Sequence, residues 1–218
     1  MTLRVEFHCH TAASRDSLAR PEALLAACRS RGIDRLVITD HNTIAGARLA
    51  KALDPERVIV GEEIMTTGGE LLAAFVTEQV PPGLTPHETI GILRAQGAFI
   101  SVAHPFDRHR KGHWELPALL EIVPLVDAIE VFNARCMSPR PNQEAQAFAR
   151  ERGLHATVGS DSHTVFELGR ATMQLPDFND ATSLTSVLSQ ARFETRLSSP
   201  LVHFTSRYAV WRKKMMGR

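Results

Sequence analysis

Six short apolar runs in this chain each end on residues that bind metal ions, and this recurrence constrains the fold more than any other feature. EFHCHT ends its run with His8 and His10, VITDHN with Asp40 and His41, and VGEEI with Glu62 and Glu63. ISVAHPFD ends with His104 and Asp107, IEVFN with Glu130 and Asn133, and VGSDSH with Asp161 and His163. Residues i and i+2 of an extended strand share a face, so His8 and His10 point the same way and can grip one ion. Five of the ten histidines fall where a strand is expected to end, a placement that solvated or core-filling histidines have no reason to adopt.

Between these runs the pattern is helical. A strand over 3–9 leads to a helix that starts near Pro21 and stops at Gly32, and a strand over 34–40 leads to a helix over about 43–53. The strand at 57–64 turns at Gly68-Gly69 into 70–76, which reads as a hairpin, and a helix from about Pro86 to Gly97 delivers the strand 98–104. A short helix near 115–123, a strand at 127–133, a helix near 142–152, a strand at 155–161, a strand at 171–175 and a helix near 181–192 follow. Six or seven strands alternating with helices predict an α/β fold with a parallel sheet. An open sheet gathers its site at one switch point, whereas here chemistry-bearing residues follow nearly every strand, as at the C-terminal face of a (β/α) barrel.

The 218 residues, 44% of them hydrophobic, can bury a full core, and one domain spanning 1–218 with a helical, basic tail from about 195 is the expectation. A net charge of +1 and a pI near 7.9 provide no global field for nucleic acid or a membrane surface, so an anionic partner must be met by local groups. Cys9, Cys28 and Cys136 lack the spacing of a disulfide framework or zinc ribbon and read as free thiols, with Cys9 alternating away from its flanking histidines into packing. No apolar run reaches the about 20 residues of a membrane span, and the first residues pass straight into a strand, which predicts a cytoplasmic protein.

Imidazole nitrogens and carboxylate oxygens suit borderline and hard divalent ions. His8, His10, Asp16, His41, Glu63, Glu70, His104, Asp161 and His163 are nine candidate ligands, too many for one tetrahedral ion, so two or three ions are expected. Such centres activate water and clamp attacking and leaving oxygens, which makes metal-assisted hydrolysis the expected reaction class.

HCHT, TDH, GEE, AHP and GSDSH, in this order, resemble the PHP (polymerase and histidinol phosphatase) superfamily of metal-dependent phosphoesterases, over essentially the whole chain to about residue 175. The resemblance implies a distorted (β/α)7 barrel with its metal site at the C-terminal ends of the strands. It implies that His8, His10, Glu63 and Asp161 hold one ion, that Glu63 bridges to a second held by His104, and that Asp16, His41 and His163 form a third group. His8, His10, Glu63, His104, Asp161 and His163 are accordingly the expected catalytic set. Two departures stand out. Where many relatives have a histidine on the strand after the bridging glutamate, this chain has GGELLAAF, so Glu70 is the substitute, and among manganese, zinc, iron and magnesium its carboxylate shifts preference toward harder ions such as manganese or magnesium. Glu6 stands where aspartate is commoner and is expected to support a ligand histidine.

Glu62, on the opposite strand face from Glu63, is expected to be structural, and Asp40 to orient His41 or cap the next helix. His87, His109, His113, His155 and His203 have no supporting motif. Arg108 or Arg110, in the loop after His104, together with Asn133 and Arg135, are the expected substrate contacts, because guanidinium groups hold phosphate bidentately. The tail cations Arg212, Lys213 and Lys214 interleave with Tyr208 and Trp211, as a basic helix end also would. The expected activity is hydrolysis of a phosphomonoester or phosphodiester, a nucleotide or small phosphorylated metabolite, by metal-bound hydroxide, with nucleic acid entering only as substrate. The alternatives are a metal-dependent amide or lactone hydrolase and a non-catalytic metal-binding regulatory module.

Overall fold

The computed structural model describes residues 2–217; Met1 and Arg218, the two ends of the expected domain span, lie outside the described residues. Eight of its strands fall on the apolar runs: β1 (Thr2–Cys9), β2 (Arg35–Ile38), β3 (Val58–Met65), β4 (Glu70–Ala74), β5 (Phe99–Val102), β6 (Ala128–Asn133), β7 (Ala156–Gly159) and β8 (Ala171–Pro176). The helices between them are α1 (Pro21–Arg31), α2 (Ala45–Leu53), α3 (Pro86–Ala95), α4 (Leu116–Ile122), α5 (Arg140–Arg152) and α6 (Ala181–Val187). Their ends follow local chemistry. Gly32 takes the left-handed conformation (φ 62°) that stops α1, and Thr85 and Glu88 form a reciprocal capping box that starts α3.

The helix expected over 181–192 ends early. After Val187 the chain makes a 3-10 turn at Leu188–Gln190 and enters a ninth strand, β9 (Arg192–Thr195), which pairs antiparallel with β8. All four β9 residues are exposed, so the strand carries none of the apolar alternation by which a strand is read. A final helix, α7 (Val202–Met215), occupies the basic tail.

The sheet order is β7-β6-β5-β4-β3-β2-β1-β8-β9. The β1–β2, β2–β3, β5–β6 and β6–β7 pairs are parallel, while β4 runs antiparallel to both β3 and β5, and β8 antiparallel to β1. The reversed β4 is the expected hairpin, and it departs from an all-parallel barrel. The sheet curls until β7 returns to the upper half of β1, where Cys9 and Ser162 form an isolated parallel bridge and the His10 N–H donates to the Ser162 carbonyl at 2.8 Å. The result is a nearly closed, barrel-shaped mixed sheet, the distorted barrel that the sequence resemblance implies.

β1 contributes to two cores. Leu3, Val5 and Phe7 join the main cluster with Phe99, Ile100 and Met173, and the Phe7 and Phe99 rings meet edge to face at 5.4 Å. Cys9 shares the parity of Leu3, Val5 and Phe7 but lies beyond the register shift between Glu6 and Cys9, and it joins Leu24, Cys28, Leu36, Ile38 and Ala47 under α1 and α2. Each large apolar side chain buried this way stabilises the fold by about 1.5–3 kcal/mol. All three cysteines are buried and free, and no helix among the described residues is long and apolar enough to cross a membrane.

Candidate metal centre

Residues at the rim of the sheet converge on Glu63. Its Oε2 lies 3.0 Å from His41 Nδ1, 3.3 Å from His8 Nε2 and 3.4 Å from His10 Nε2, and its Oε1 lies 3.0 Å from His104 Nε2. Glu63 Oε2 and His8 Nε2 nonetheless have no hydrogen-bond partner, although both are fully buried. Buried polar atoms are almost always paired, so a ring nitrogen and a carboxylate oxygen facing one another without a hydrogen bond mark a place shaped for a cation.

The outward hydrogen bonds fix the tautomers that such a site needs. His8 Nδ1 lies 2.9 Å from Glu130 Oε1, an acceptor only, so the proton sits on Nδ1 and the Nε2 lone pair faces inward. Ser14 Oγ donates its one hydrogen to Asp40 Oδ1 at 2.7 Å and can only accept from His10 Nδ1 at 3.1 Å, so His10 presents Nε2 as well. His163 Nδ1 donates to the Asp161 carbonyl at 2.8 Å and turns Nε2 toward Asp16 Oδ2 at 3.2 Å. Ligand histidines are characteristically held this way by a second residue.

Three groups have their ligand atoms within 4.8 Å of one another: His8, His10 and Glu63; His41, Glu63 and Glu70; and His10, His41 and His163. Asp161 Oδ1 closes on the first at 3.1 Å from His10 Nε2 and 3.6 Å from His8 Nε2. Glu70 joins His41 (3.7 Å) to His104 (3.5 Å), and Asp16 joins His41 (3.5 Å) to His163. All nine expected ligands therefore meet in one cluster. Two of them, His104 (φ 22°) and Asp161 (φ 51°), hold left-handed backbone that non-glycine residues seldom adopt, strain of the kind stored at functional sites.

Burial opposes charge at every group here, and the neighbours decide the balance. At His8 burial works downward, but Glu63, Asp161 and Glu130 hold the imidazole well above its ordinary range. His10 has burial and then the His163 and His41 rings against it and falls to about 3, while burial at His41 is outweighed by Glu63 and Asp16, which lift it to about 10. Against their burial, His8 and His41 keep Glu63 well below the carboxylate range, and Arg110 and His8 do the same for Asp161. Burial and then the Glu63 charge push Glu70 up. Four carboxylates around five imidazoles thus draw positive charge to one point, which divalent cations would supply.

The expected substrate contacts separate. Arg110 reaches the cluster: Nη1 lies 2.6 Å from Asp161 Oδ2, Nε 3.0 Å from Asp107 and Nη2 3.2 Å from Asn133 Oδ1. Asn133 is buried, donating to Glu130 and Asp161 at 3.1 and 3.2 Å. The structure does not bring Arg108 to the cluster; it is exposed and lines a separate cavity beside Trp114 and Phe148. Arg135 is spent on Glu167 Oε1 (3.1 Å), the Val202 carbonyl (2.8 Å) and Ser206 Oγ (2.9 Å), tying α7 to the loop after β7.

Around the cluster, Glu130 is the residue to which the motifs assign no role. It anchors His8, accepts the His104 N–H at 2.8 Å and holds Asn133; a carboxylate inside an apolar strand is the one signal in the sequence that points to it. Asp40 takes neither expected role: it accepts from Thr11 N–H and Oγ1, both at 2.6 Å, and from Ser14, and so acts on His10 through Ser14. Glu6 likewise contacts backbone rather than an imidazole ring, accepting from the Ser160 N–H (2.9 Å), the Ser160 hydroxyl and the Gly169 N–H (2.8 Å). Glu62 turns away from Glu63, as expected, and accepts the Val80 N–H at 2.9 Å.

The PHP domain model matches residues 6–93, and a model described as PHP-associated matches residues 139–193. An uncharacterized protein of Methanocaldococcus jannaschii is 34% identical over 181 residues, covering 81% of this chain and 72% of that protein. Among solved structures, PsfC of Pseudomonas syringae aligns with a TM-score of 0.69 at 21% identity, over 95% of this chain and 98% of that one. A Bifidobacterium adolescentis protein described as a candidate metal-dependent phosphoesterase aligns with a TM-score of 0.64 at 17% identity, over 85% and 96%. An amidohydrolase of Chromobacterium violaceum, solved with sulfate bound, aligns with a TM-score of 0.62 at 15% identity, over 86% and 97%. With the family models falling in order on β1 to β4 and on β7 and β8, and a relative 34% identical over most of the chain, the chain belongs to the PHP domain family.

Proposed function

We propose that this PHP protein is a metal-dependent hydrolase of phosphate esters, with two or three divalent ions held by the rim cluster. The observation that carries the reading is the convergence of three imidazole nitrogens within 3.4 Å of one buried, unbonded carboxylate oxygen, Glu63 Oε2. His8, His10, Glu63 and Asp161 would hold one ion, Glu63, Glu70 and His104 a second, and Asp16, His41 and His163 a third. When bound, such ions act as Lewis acids that activate water and neutralise charge on the reacting oxygens.

The chain's own residues supply the rest. Glu130 and Ser14 fix the His8 and His10 rings, and Arg110, at the edge of the cluster, orients a phosphoryl oxygen by charge-assisted hydrogen bonds. That guanidinium favours an anionic ester over a neutral amide or lactone. The unit is read as the whole chain, with α7 as its outer wall.

The test is removal of metal, checked by elemental analysis, followed by reloading with manganese, zinc, iron or magnesium against a panel of phosphomonoesters, phosphodiesters, amides and lactones. Activity should vanish and return on phosphate esters alone. Full activity in the stripped protein, or turnover confined to amides or lactones, overturns the reading, and no turnover of any class by the reloaded protein identifies a regulatory module. His8→Ala and Asp161→Ala should each remove most turnover while the protein remains folded.

A further inference from the structure

The loop from Phe106 to Trp114 brings one cation to the cluster, Arg110, already paired with Asp107 and Asp161, while Arg108 faces another cavity. The positive charge at the mouth has a different source. A cavity of about 810 Å³ opens beside His41 and Glu70 and is walled by the loop after β1 and by the last turns of α7. That volume lies within the range of small-molecule sites. Five cations line it, Arg15 and Arg20 from the loop and Arg212, Lys213 and Lys214 from the helix, against one acid among the described residues, Glu70.

Two features separate this wall from an ordinary solvated basic surface. It is fixed: Lys213 Nζ donates to the Ala12 carbonyl at 2.7 Å and to the Ser14 carbonyl, while Arg135 holds the other end of the helix at Val202 and Ser206. Its other four cations, Arg15, Arg20, Arg212 and Lys214, are exposed and have no side-chain partner among the described residues. Like charges gathered without counter-charges around one concavity repel one another, and a bound anion relieves that cost.

We propose that this cavity is a second anion subsite, so that the enzyme selects phosphate esters whose leaving group carries a further phosphate. The proposal rests on the phosphoesterase reading for the reacting group, whereas the subsite stands on its own lining. The reacting ester lies over the cluster, the rest of the molecule passes His41 into the cavity, and the distal phosphate meets Arg15, Arg212 and Lys214. Binding energy from that remote group fixes the reacting phosphorus over the metal centre.

The test compares the metal-loaded wild type with Arg15→Ala/Arg212→Ala/Lys214→Ala on a matched pair, glucose 1,6-bisphosphate and glucose 6-phosphate. The wild type should favour the bisphosphate by about tenfold or more in kcat/KM, corresponding to at least one strong ionic contact. The triple variant should lose that preference, Arg212→Lys should retain most of it, and added salt should erode it in the wild type. A second readout needs no turnover: hexane-1,6-bisphosphonate should bind more tightly than hexylphosphonate by calorimetry, and the difference should disappear in the triple variant. A wild type without preference in either measurement, or a triple variant that keeps the wild-type ratio, overturns the subsite. If neither sugar phosphate is turned over, the phosphoesterase reading fails for this pair, and the phosphonate ratio still decides the subsite.

Discussion

Glu62 offers a stability test that does not touch the metal cluster. Its side chain is buried, accepts one hydrogen bond from the Val80 N–H at 2.9 Å, and leaves Oε1 without a partner. Burial raises its pKa from the ordinary 4.5 to about 7. Because the folded value lies above the unfolded one, the stability contributed by the protonated acid is complete below about pH 4.5 and is lost as pH rises through about 7. A tenfold change in proton affinity corresponds to about 1.4 kcal/mol, so ionised Glu62 destabilises the fold by about 3 kcal/mol at about pH 8 relative to about pH 4.5. Glu62→Gln keeps the acceptor for Val80 and removes the ionisation. Urea unfolding of both proteins across this pH range should show the variant gaining on the wild type by about 3 kcal/mol toward the alkaline end. Glu6, also raised by burial to about 7, titrates in both proteins and cancels from the difference. A stability difference that stays flat with pH would refute the assignment of the burial cost to Glu62.

Three further outcomes are expected. Glu130→Ala removes the acceptor of the His8 Nδ1 proton and should weaken metal binding about 10–100-fold in a chelator competition, with Glu130→Gln losing less; unchanged affinity in both contradicts the orienting role. Glu70→His exchanges a carboxylate for an imidazole beside His41 and His104 and should move the ions retained after purification from manganese toward zinc, as elemental analysis would report. Gly159→Ala places a methyl group onto His8 Cβ and 2.7 Å from Glu130 Oε1, so it should lower stability by about 1–3 kcal/mol and weaken metal binding with it, and a variant melting like the wild type contradicts the crowding.

The parts of this molecule legible in its sequence are those governed by local rules. Loose apolar alternation placed β1, and parity alone separated Glu63 from Glu62 and turned Cys9 away from His8 and His10. The residues that meet at the rim, Asp16 in the loop after β1 aside, were legible because each sits at or near a strand end, where a barrel gathers its chemistry. What remained hidden depends on distance through space. No local pattern says that Glu130 anchors His8 across 122 residues, or that Ser14 passes the charge of Asp40 to His10. In the loop after β5, where no period holds, nothing in the order of residues tells Arg110, which reaches Asp161, from Arg108, which does not. The exposed strand β9 was hidden for the opposite reason, since its pairing uses backbone alone.

The closure of the sheet has a mechanical consequence. Along the rest of the sheet neighbouring strands are stitched by runs of backbone hydrogen bonds, but β7 meets β1 through a single bridge at Cys9 and Ser162 and through the Glu6 carboxylate, which grips Ser160 and Gly169. This is a laced seam in an otherwise woven cylinder, and it is where breathing motions should begin. His8 and His10 lie on one side of the lacing and Asp161 on the other, so an ion shared by the three would be a rivet through both edges. Amide exchange at residues 159–163 reads the tightness of that seam, and loading with metal should slow it while leaving the middle of the β4–β5 ladder, on the opposite side of the sheet, at its original rate.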